Sequence, residues 1–495
     1  MKHVLALDQG TTSSRSIVYD EQFNVRGAAQ REFRQYYPRP GWVEHDAEEI
    51  WESQVATMRE ALEAAGIGAG DLAAVGITNQ RESTMVWNAE SGKPVGRVIV
   101  WQDRRTAARC ARLRAEGRAA MIEERTGLRV DPYFSASKLE WLLDEAPGAR
   151  EMAEEGALRF GTIDAWLIWR LTGGAAHVTD VTNASRTMLF DIRRLAWDDE
   201  LLELFGVPRP VMPRVVDSSG VCGEWEGAPI AGVAGDQHAA LMGQGCVEPG
   251  MAKSTYGTGC FLLMNTGREL IRSRHGLLTT VAWKIGEEVT YALEGSVFMG
   301  GAVFQWLRDE LGVVESTSEV DALAASVPDS GGCVLVPAFA GLGAPHWDPF
   351  ARGALFGVTR GTGRARLCRA AVEAVALQCA DVLDCLSKDS GREFGELRVD
   401  GGAVRSDILL QVQADLLRRR VVRPRNVETT AAGAAMLAGL ATDVWRREEL
   451  GSDWEVDETF EPVLSPEKAG ALRDLWQRAV ERSARWLKAD SGSGC

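Results

Sequence analysis

The chain has 495 residues, 45% of them hydrophobic and 25% charged, which is enough for two or three domains with cores of their own. Seventy acidic residues against 55 basic ones give a net charge of −15 and argue against an electrostatically bound nucleic-acid partner. Nine cysteines with neither a CxxC pair nor regular spacing read as reduced thiols of a cytoplasmic protein, not as a disulfide scaffold.

Asp8 interrupts the first apolar run too early for a signal peptide, and no later run reaches the ~18 residues of a membrane helix. His3–Leu7 reads as a short buried strand, Ser16–Asp20 as its hairpin partner, and Gly10-Thr11-Thr12-Ser13 as the turn between them. Strands over 3–8, 14–20 and about 25–33 predict a three-stranded antiparallel meander. The turn gathers backbone N–H groups and hydroxyls at one point, which suits a phosphate. Arg15 adds a charged fork, and Asp8 is placed to hold a magnesium ion through water. From residue types alone the turn reads equally as a polar hairpin that binds nothing.

Asp46 then opens a helix, with Glu49 three residues on as a capping box. Ile50, Trp51, Val55, Met58 and Leu62 predict its buried face, and Gly66 its end. Leu72–Thr78 is a buried-strand pattern running into Asn79-Gln80-Arg81-Glu82. Strands followed by helices and further strands predict a layered α/β architecture. Gly232–Gly235 is a small-residue strand end before Asp236, a residue whose position alone reads as a helix cap.

The second half echoes the first. Ala252–Gly259 places a Gly/Thr turn before an apolar strand, and Leu397–Gly402 is a strand ending in a glycine pair ahead of the helical pattern Ser406–Leu417. The expected division is residues 1–245, 246–490 and a flexible tail, 491–495. A last helix over Glu467–Lys488 is expected to bury Leu472, Leu475, Trp476, Ala479 and Trp486.

ALDQGTTSSR (6–15), GITNQRE (76–82), WQDRR (101–105), DPYFS (131–135), AGDQ (234–237), STYGTGCF (254–261) and DGGA (400–403) follow one another in this order. Together they resemble the FGGY carbohydrate kinases, and among those the members that phosphorylate glycerol. The resemblance extends to about residue 487. It implies two ribonuclease H-like domains of the actin and hexokinase type with ATP in the cleft between them. It makes Asp236 the base that accepts the proton of the attacking hydroxyl. Arg81, Glu82, Tyr133, Asp236 and Gln237 would hold the acceptor, with Trp101 and Phe261 packing its carbon chain.

On the nucleotide side the resemblance implies Thr11, Thr12, Ser13 and Arg15 around the phosphates. Thr258 would approach from the other domain, with Gly301, Gln305, Gly402 and Ser406 nearer the ribose and base. Magnesium would be held by Asp8 and Asp236 through water, and a homodimer or homotetramer is expected. Three positions depart from the family pattern: Ser406 where many relatives have Asn, His238 where Gln is frequent, and a short acidic Cys222–Ile230. The last lacks the arginine with which regulated relatives bind fructose 1,6-bisphosphate, so no such inhibition is expected. The alternatives are a family member with another acceptor and an actin- or chaperone-like ATPase. Against the latter, the tail after residue 440 reads as one helix with no peptide-binding β-domain, and Arg81, Glu82 and Tyr133 would go unexplained.

Overall fold

The computed structural model describes residues 2–449 and 454–487. Thirteen strands form one continuous sheet, numbered here in chain order. In the first half they are β1 (His3–Gln9), β2 (Ser13–Asp20), β3 (Val25–Glu32), β4 (Leu72–Asn79), β5 (Ser219–Trp225) and β6 (Ala228–Gly235). The second half supplies β7 (Ala252–Tyr256), β8 (Cys260–Gly267), β9 (Leu278–Ile285), β10 (Glu288–Val297), β11 (Glu396–Asp400), β12 (Arg420–Pro424) and β13 (Val456–Phe460). Their order across the sheet is β13-β12-β11-β7-β8-β10-β9-β5-β6-β4-β1-β2-β3.

The two halves repeat one topology. The antiparallel meander β1–β2–β3 is extended by β4 and β6, parallel to β1. Likewise β7, β8 and β10 run antiparallel, and β11 and β12 extend the sheet parallel to β7. The halves join through the single pairing Ser219↔Ile285. Followed from strand to strand, the pairings give β1, β4, β6, β7, β11 and β12 one direction, so their carboxyl ends, where ligands bind in open α/β sheets, lie along one edge of the sheet.

Helix α1 (Ala47–Ala65) starts on Asp46, whose carboxylate accepts from the Glu48 and Glu49 amides, and stops at Gly66 in the left-handed region. The reciprocal half of the capping box is absent, because Glu49 accepts from the Tyr36 hydroxyl instead. Its buried face also differs from the apolar stripe expected. Trp51 and Val55 are only half-buried, whereas Ser53, Gln54 and Thr57 are buried. They pair with β2 through Ser14–Ser53, Ser16–Thr57 and Gln54 Nε2 to the Arg15 carbonyl. A polar seam on both elements satisfies the same burial that an apolar stripe would.

Residues 80–218 form an insertion of helices and short two-stranded sheets, whose core includes Ile99, Leu139, Phe160 and Phe190 and also takes in Leu278, Val281 and Tyr291 of β9 and β10. Helix α2 (Asp236–Gly243) follows β6. The second half adds α3 (Ala302–Asp309), α4 (Thr317–Ala325), α5 (Arg364–Ser390), α6 (Asp407–Leu417), α7 (Thr429–Ala441) and α8 (Pro466–Ser483). Helix α7 crosses back and packs Ala431, Ala435 and Ala438 against Val4, Ala6, Ala74 and Ala231 of the first half. Glycine is required there: a Cβ on Gly76 would lie 2.3 Å from the Ala434 carbonyl oxygen.

Two expectations at the C-terminus are corrected. Helix α8 ends at Ser483, and Trp486, expected on its buried face, is 71% exposed in the chain beyond it. The tail is also not one helix, since β13 pairs with β12 at the sheet edge. Lys488 and the 491–495 segment lie outside the described residues.

Candidate active site

Arg81 leaves the end of β4 into the space between the halves and is buried among carboxylates. Its Nε lies 3.0 Å from Asp236 Oδ1, while Nη1 and Nη2 donate to Glu294 at 2.6 and 3.0 Å. Gly235 makes this approach possible, because a Cβ there would sit 2.6 Å from Arg81 Cγ. Glu82 has φ +60, an uncommon value for a side-chain-bearing residue and of the kind that gathers at functional sites. Its carboxylate accepts from Arg186 Nε at 2.7 Å, and Arg186 Nη2 reaches Glu294 at 3.1 Å. Two guanidinium groups and three carboxylates thus interlock, with Tyr133 hydroxyl 3.5 Å from Arg81 Nη2.

Electrostatics follow from that geometry. Burial would raise the Glu294 carboxyl, but Arg186 and Arg81 together hold it well below the usual range. Burial pushes Glu82 and Asp236 above theirs, against the pull of Arg81. The helix-cap reading of Asp236 is corrected: Gly235 fills the cap position, Asp236 is the first residue of α2, and its carboxylate accepts from the adjacent Gln237 amide at 2.7 Å while staying partly exposed. Burial raises Asp8, at the end of β1, to about 6, with Arg15 opposing and Asp236 adding to the rise. An aromatic wall stands beside this cluster: the Trp101 ring lies 5.7 Å from Tyr133 and 5.9 Å from Phe261. The Arg81 guanidinium sits 5.9 Å over Phe261.

The Gly10–Ser13 turn closes with a Gly10 N–H to Ser13 carbonyl bond of 2.9 Å and presents Thr12 to solvent. Thr11 Oγ1 accepts from Trp101 Nε1 at 3.0 Å, tying the turn to the aromatic wall. Arg15 faces a different partner from the one expected: it donates to Gln30 at 2.6 Å and pairs with Glu428, just ahead of α7. Opposite lies a cavity of about 560 Å³ lined by Gly257, Thr258, Gly301, Gln305, Gly402 and Ser406, with Asp321 among the other lining residues. Every second-half residue expected near the nucleotide therefore borders one space of nucleoside size. Ser406 caps α6 and donates to Asp321 at 2.6 Å.

Fit to a nucleotide rests on open space and not on helix amides. Gly402 has open space around it, and Gly301 precedes α3, whose first amides, Ala302 to Gln305, are already held by the Thr258, Gly300 and Gly301 carbonyls. Among the described residues no cluster of three or more His, Cys, Asp or Glu is arranged to hold a metal. Asp8 and Asp236 alone suit magnesium, which keeps most of its shell as water and phosphate oxygen.

Arg186, Glu294 and Lys253 escaped the motif reading. Lys253, buried in β7, donates to Gln237 Oε1 and, at 2.7 Å, to Thr255. Burial lowers it to about 8. The available signal was weak: Glu294 follows the apolar Tyr291-Ala292-Leu293 of β10, whereas Lys253 stands among the polar Ser254 and Thr255 of β7. His238 is buried in α2, neutral through burial, with Nε2 3.1 Å from Thr280 Oγ1.

The FGGY family of carbohydrate kinases matches with its N-terminal domain over residues 3–243 and its C-terminal domain over residues 252–442. The chain belongs to the FGGY family. Its FGGY relatives include the glycerol kinase of Dechloromonas aromatica, 59% identical over 98% of both chains, and that of Deinococcus radiodurans, 55% identical over 98% of both. The structure of Plasmodium falciparum glycerol kinase with ADP superposes with a TM-score of 0.91 at 34% identity, covering 98% of each chain. A xylulose kinase from Lactobacillus acidophilus shares the FGGY fold, with a TM-score of 0.88 at 22% identity over 99% of each chain.

Proposed function

We propose that the chain is an ATP-dependent glycerol kinase, transferring the γ-phosphoryl group of ATP to a terminal hydroxyl of glycerol to give sn-glycerol 3-phosphate. The observation that carries this reading is the buried cluster of Arg81, Glu82 and Asp236 beneath Trp101, Tyr133 and Phe261. A guanidinium that donates and carboxylates that accept, set against an aromatic wall, match a small polyol with adjacent hydroxyls and a short carbon chain. Full-length similarity to glycerol kinases favours three carbons over a sugar.

Asp236 accepts the proton of the attacking hydroxyl. Arg81 fixes that carboxylate at 3.0 Å and fixes the acceptor with it. The Gly10–Ser13 turn, Arg15 and Thr258 orient the phosphates, while the cavity beyond Gly301 holds the nucleoside. Asp8 and Asp236 would hold magnesium through water, and the ion would supply neutralisation of the phosphate charge. Because phosphoryl transfer needs mainly alignment and charge neutralisation, an ordinary carboxylate suffices as base. Closure of the halves excludes water, the competing acceptor.

The test is ADP release by purified protein with magnesium and ATP, with glycerol, dihydroxyacetone, xylulose, gluconate, erythritol or no acceptor. Turnover is expected to depend on glycerol and to yield one glycerol 3-phosphate per ADP. Equal or faster turnover with another acceptor moves the substrate assignment, and acceptor-independent hydrolysis refutes the kinase reading.

A further inference from the structure

One side of the 560 Å³ cavity is chemically unlike the rest. Asp321 of α4 projects its carboxylate there, half-buried, and Ser406 spends its hydroxyl proton on Asp321 Oδ1 at 2.6 Å. Among the described residues Oδ2 accepts no hydrogen bond. With the serine proton committed and the serine oxygen accepting from the Leu409 amide at 3.3 Å, it is the free carboxylate oxygen that presents lone pairs only. The Gly257–Thr258 turn forms another part of the lining and offers no acidic group.

We propose that Asp321, held by Ser406, selects the base of the phosphoryl donor by accepting a hydrogen bond from an exocyclic amino group. The proposal rests on the reading of this cavity as the nucleotide site. Arg405 shares this lining with Asp321, so charge alone does not orient the donor. The phosphates settle toward Thr258 and the Gly10–Ser13 turn, where hydroxyls and backbone N–H groups gather, which turns the base toward Asp321. Adenine brings an amino donor at its 6-position, complementary to Oδ2. A purine with a carbonyl at that position brings an acceptor against an acceptor, leaving both unpaired. Asp321 thereby supplies an acceptor from α4, while Ser406 fixes which carboxylate oxygen is free.

The test compares ATP with inosine triphosphate, whose base has a carbonyl in place of the 6-amino group, and with 2′-deoxyATP, in the wild type and Asp321→Asn. Asparagine is isosteric. With Ser406 still donating to Oδ1, its Nδ2 amide takes the place of Oδ2 and presents donors. The wild type is expected to favour ATP over inosine triphosphate in kcat/KM by about tenfold to a hundredfold, the scale of one charge-assisted hydrogen bond. Asp321→Asn should abolish or reverse that preference and leave the ATP to 2′-deoxyATP ratio unchanged.

An ATP to inosine triphosphate ratio that the substitution does not move overturns the proposal. So does a shift confined to the 2′-deoxyATP comparison, which would place Asp321 on the ribose. Direct titration of ATP onto the wild type separates the two levels: binding without base discrimination refutes only the role of Asp321, whereas no binding refutes the nucleotide site and this proposal with it.

Discussion

Glu294→Gln probes whether the second half of the chain holds the acceptor arginine in place. Glu294 is fully buried and takes three guanidinium donors, two from Arg81 and one from Arg186, at 2.6–3.1 Å. Glutamine keeps the shape but removes the negative charge between two buried cations. Breaking a buried ion pair costs about 3–5 kcal/mol, and the amide oxygen restores part of it, so a loss of roughly 2–4 kcal/mol is expected. Thermal unfolding should fall by several degrees. The stabilisation has a definite pH sign. Glu294 is held below its unfolded value, so its contribution is complete above about pH 4.3 and is lost as pH falls through the lower folded value. The gap between wild type and variant should therefore be constant from about pH 5 to pH 8 and narrow in stronger acid. Catalytically, Arg81 loses its bidentate anchor while the cavity at Gly301 is untouched, so KM for glycerol should rise about ten- to a hundredfold with KM for ATP little changed. Steady-state kinetics with each substrate varied, alongside thermal unfolding, reads all of this. A variant with wild-type glycerol KM and an unfolding midpoint within about 1 °C would refute the structural role assigned to Glu294.

Asp236→Asn should retain nucleotide binding but lose about 10²–10⁴ in kcat, measured by single-turnover product formation; near-wild-type turnover removes Asp236 from the role of base. Glu428→Gln frees Arg15 from its competitor across the cleft and should tighten ATP binding. Both partners are partly exposed and screened, so the gain is no more than about fivefold and should shrink in high salt; weaker binding would contradict Arg15 as a phosphate ligand. Fructose 1,6-bisphosphate at millimolar concentration should leave the rate unchanged. Residues Cys222–Ile230 form only a tight hairpin turning at Glu226 and Gly227, and saturable inhibition would overturn that expectation.

The local signals were legible where one short segment carries the whole feature. The Gly10–Ser13 turn, the Gly257–Gly259 turn and the strand end at Asp400-Gly401 each combine a strand pattern with small residues, and periodicity plus glycine reveals them. Asp46 and Gly66 delimit α1 for the same reason. Features built from distant partners were not legible. Glu294 lies 213 positions from Arg81 and 108 from Arg186, and nothing near it in sequence announces either guanidinium. The buried face of α1 was misread because Ser53, Gln54 and Thr57 look like surface residues until β2 supplies their hydrogen bonds. Ser406 reads as a helix cap, and its bond to Asp321 depends on how α4 and α6 meet.

Helix α7 bears on how the protein is made. The sheet formed by β1, β4 and β6 is complete once residue 235 has emerged from the ribosome, yet its cover, Ala431 to Ala438, follows some two hundred residues later. At ~5–20 residues per second that interval is about 10–40 s, during which Val4, Ala6, Ala74 and Ala231 line an uncovered groove. A nascent chain of this protein is thus a client for holding chaperones until near the end of synthesis. Fragments cut between the halves should be recovered as soluble protein only when both are produced together.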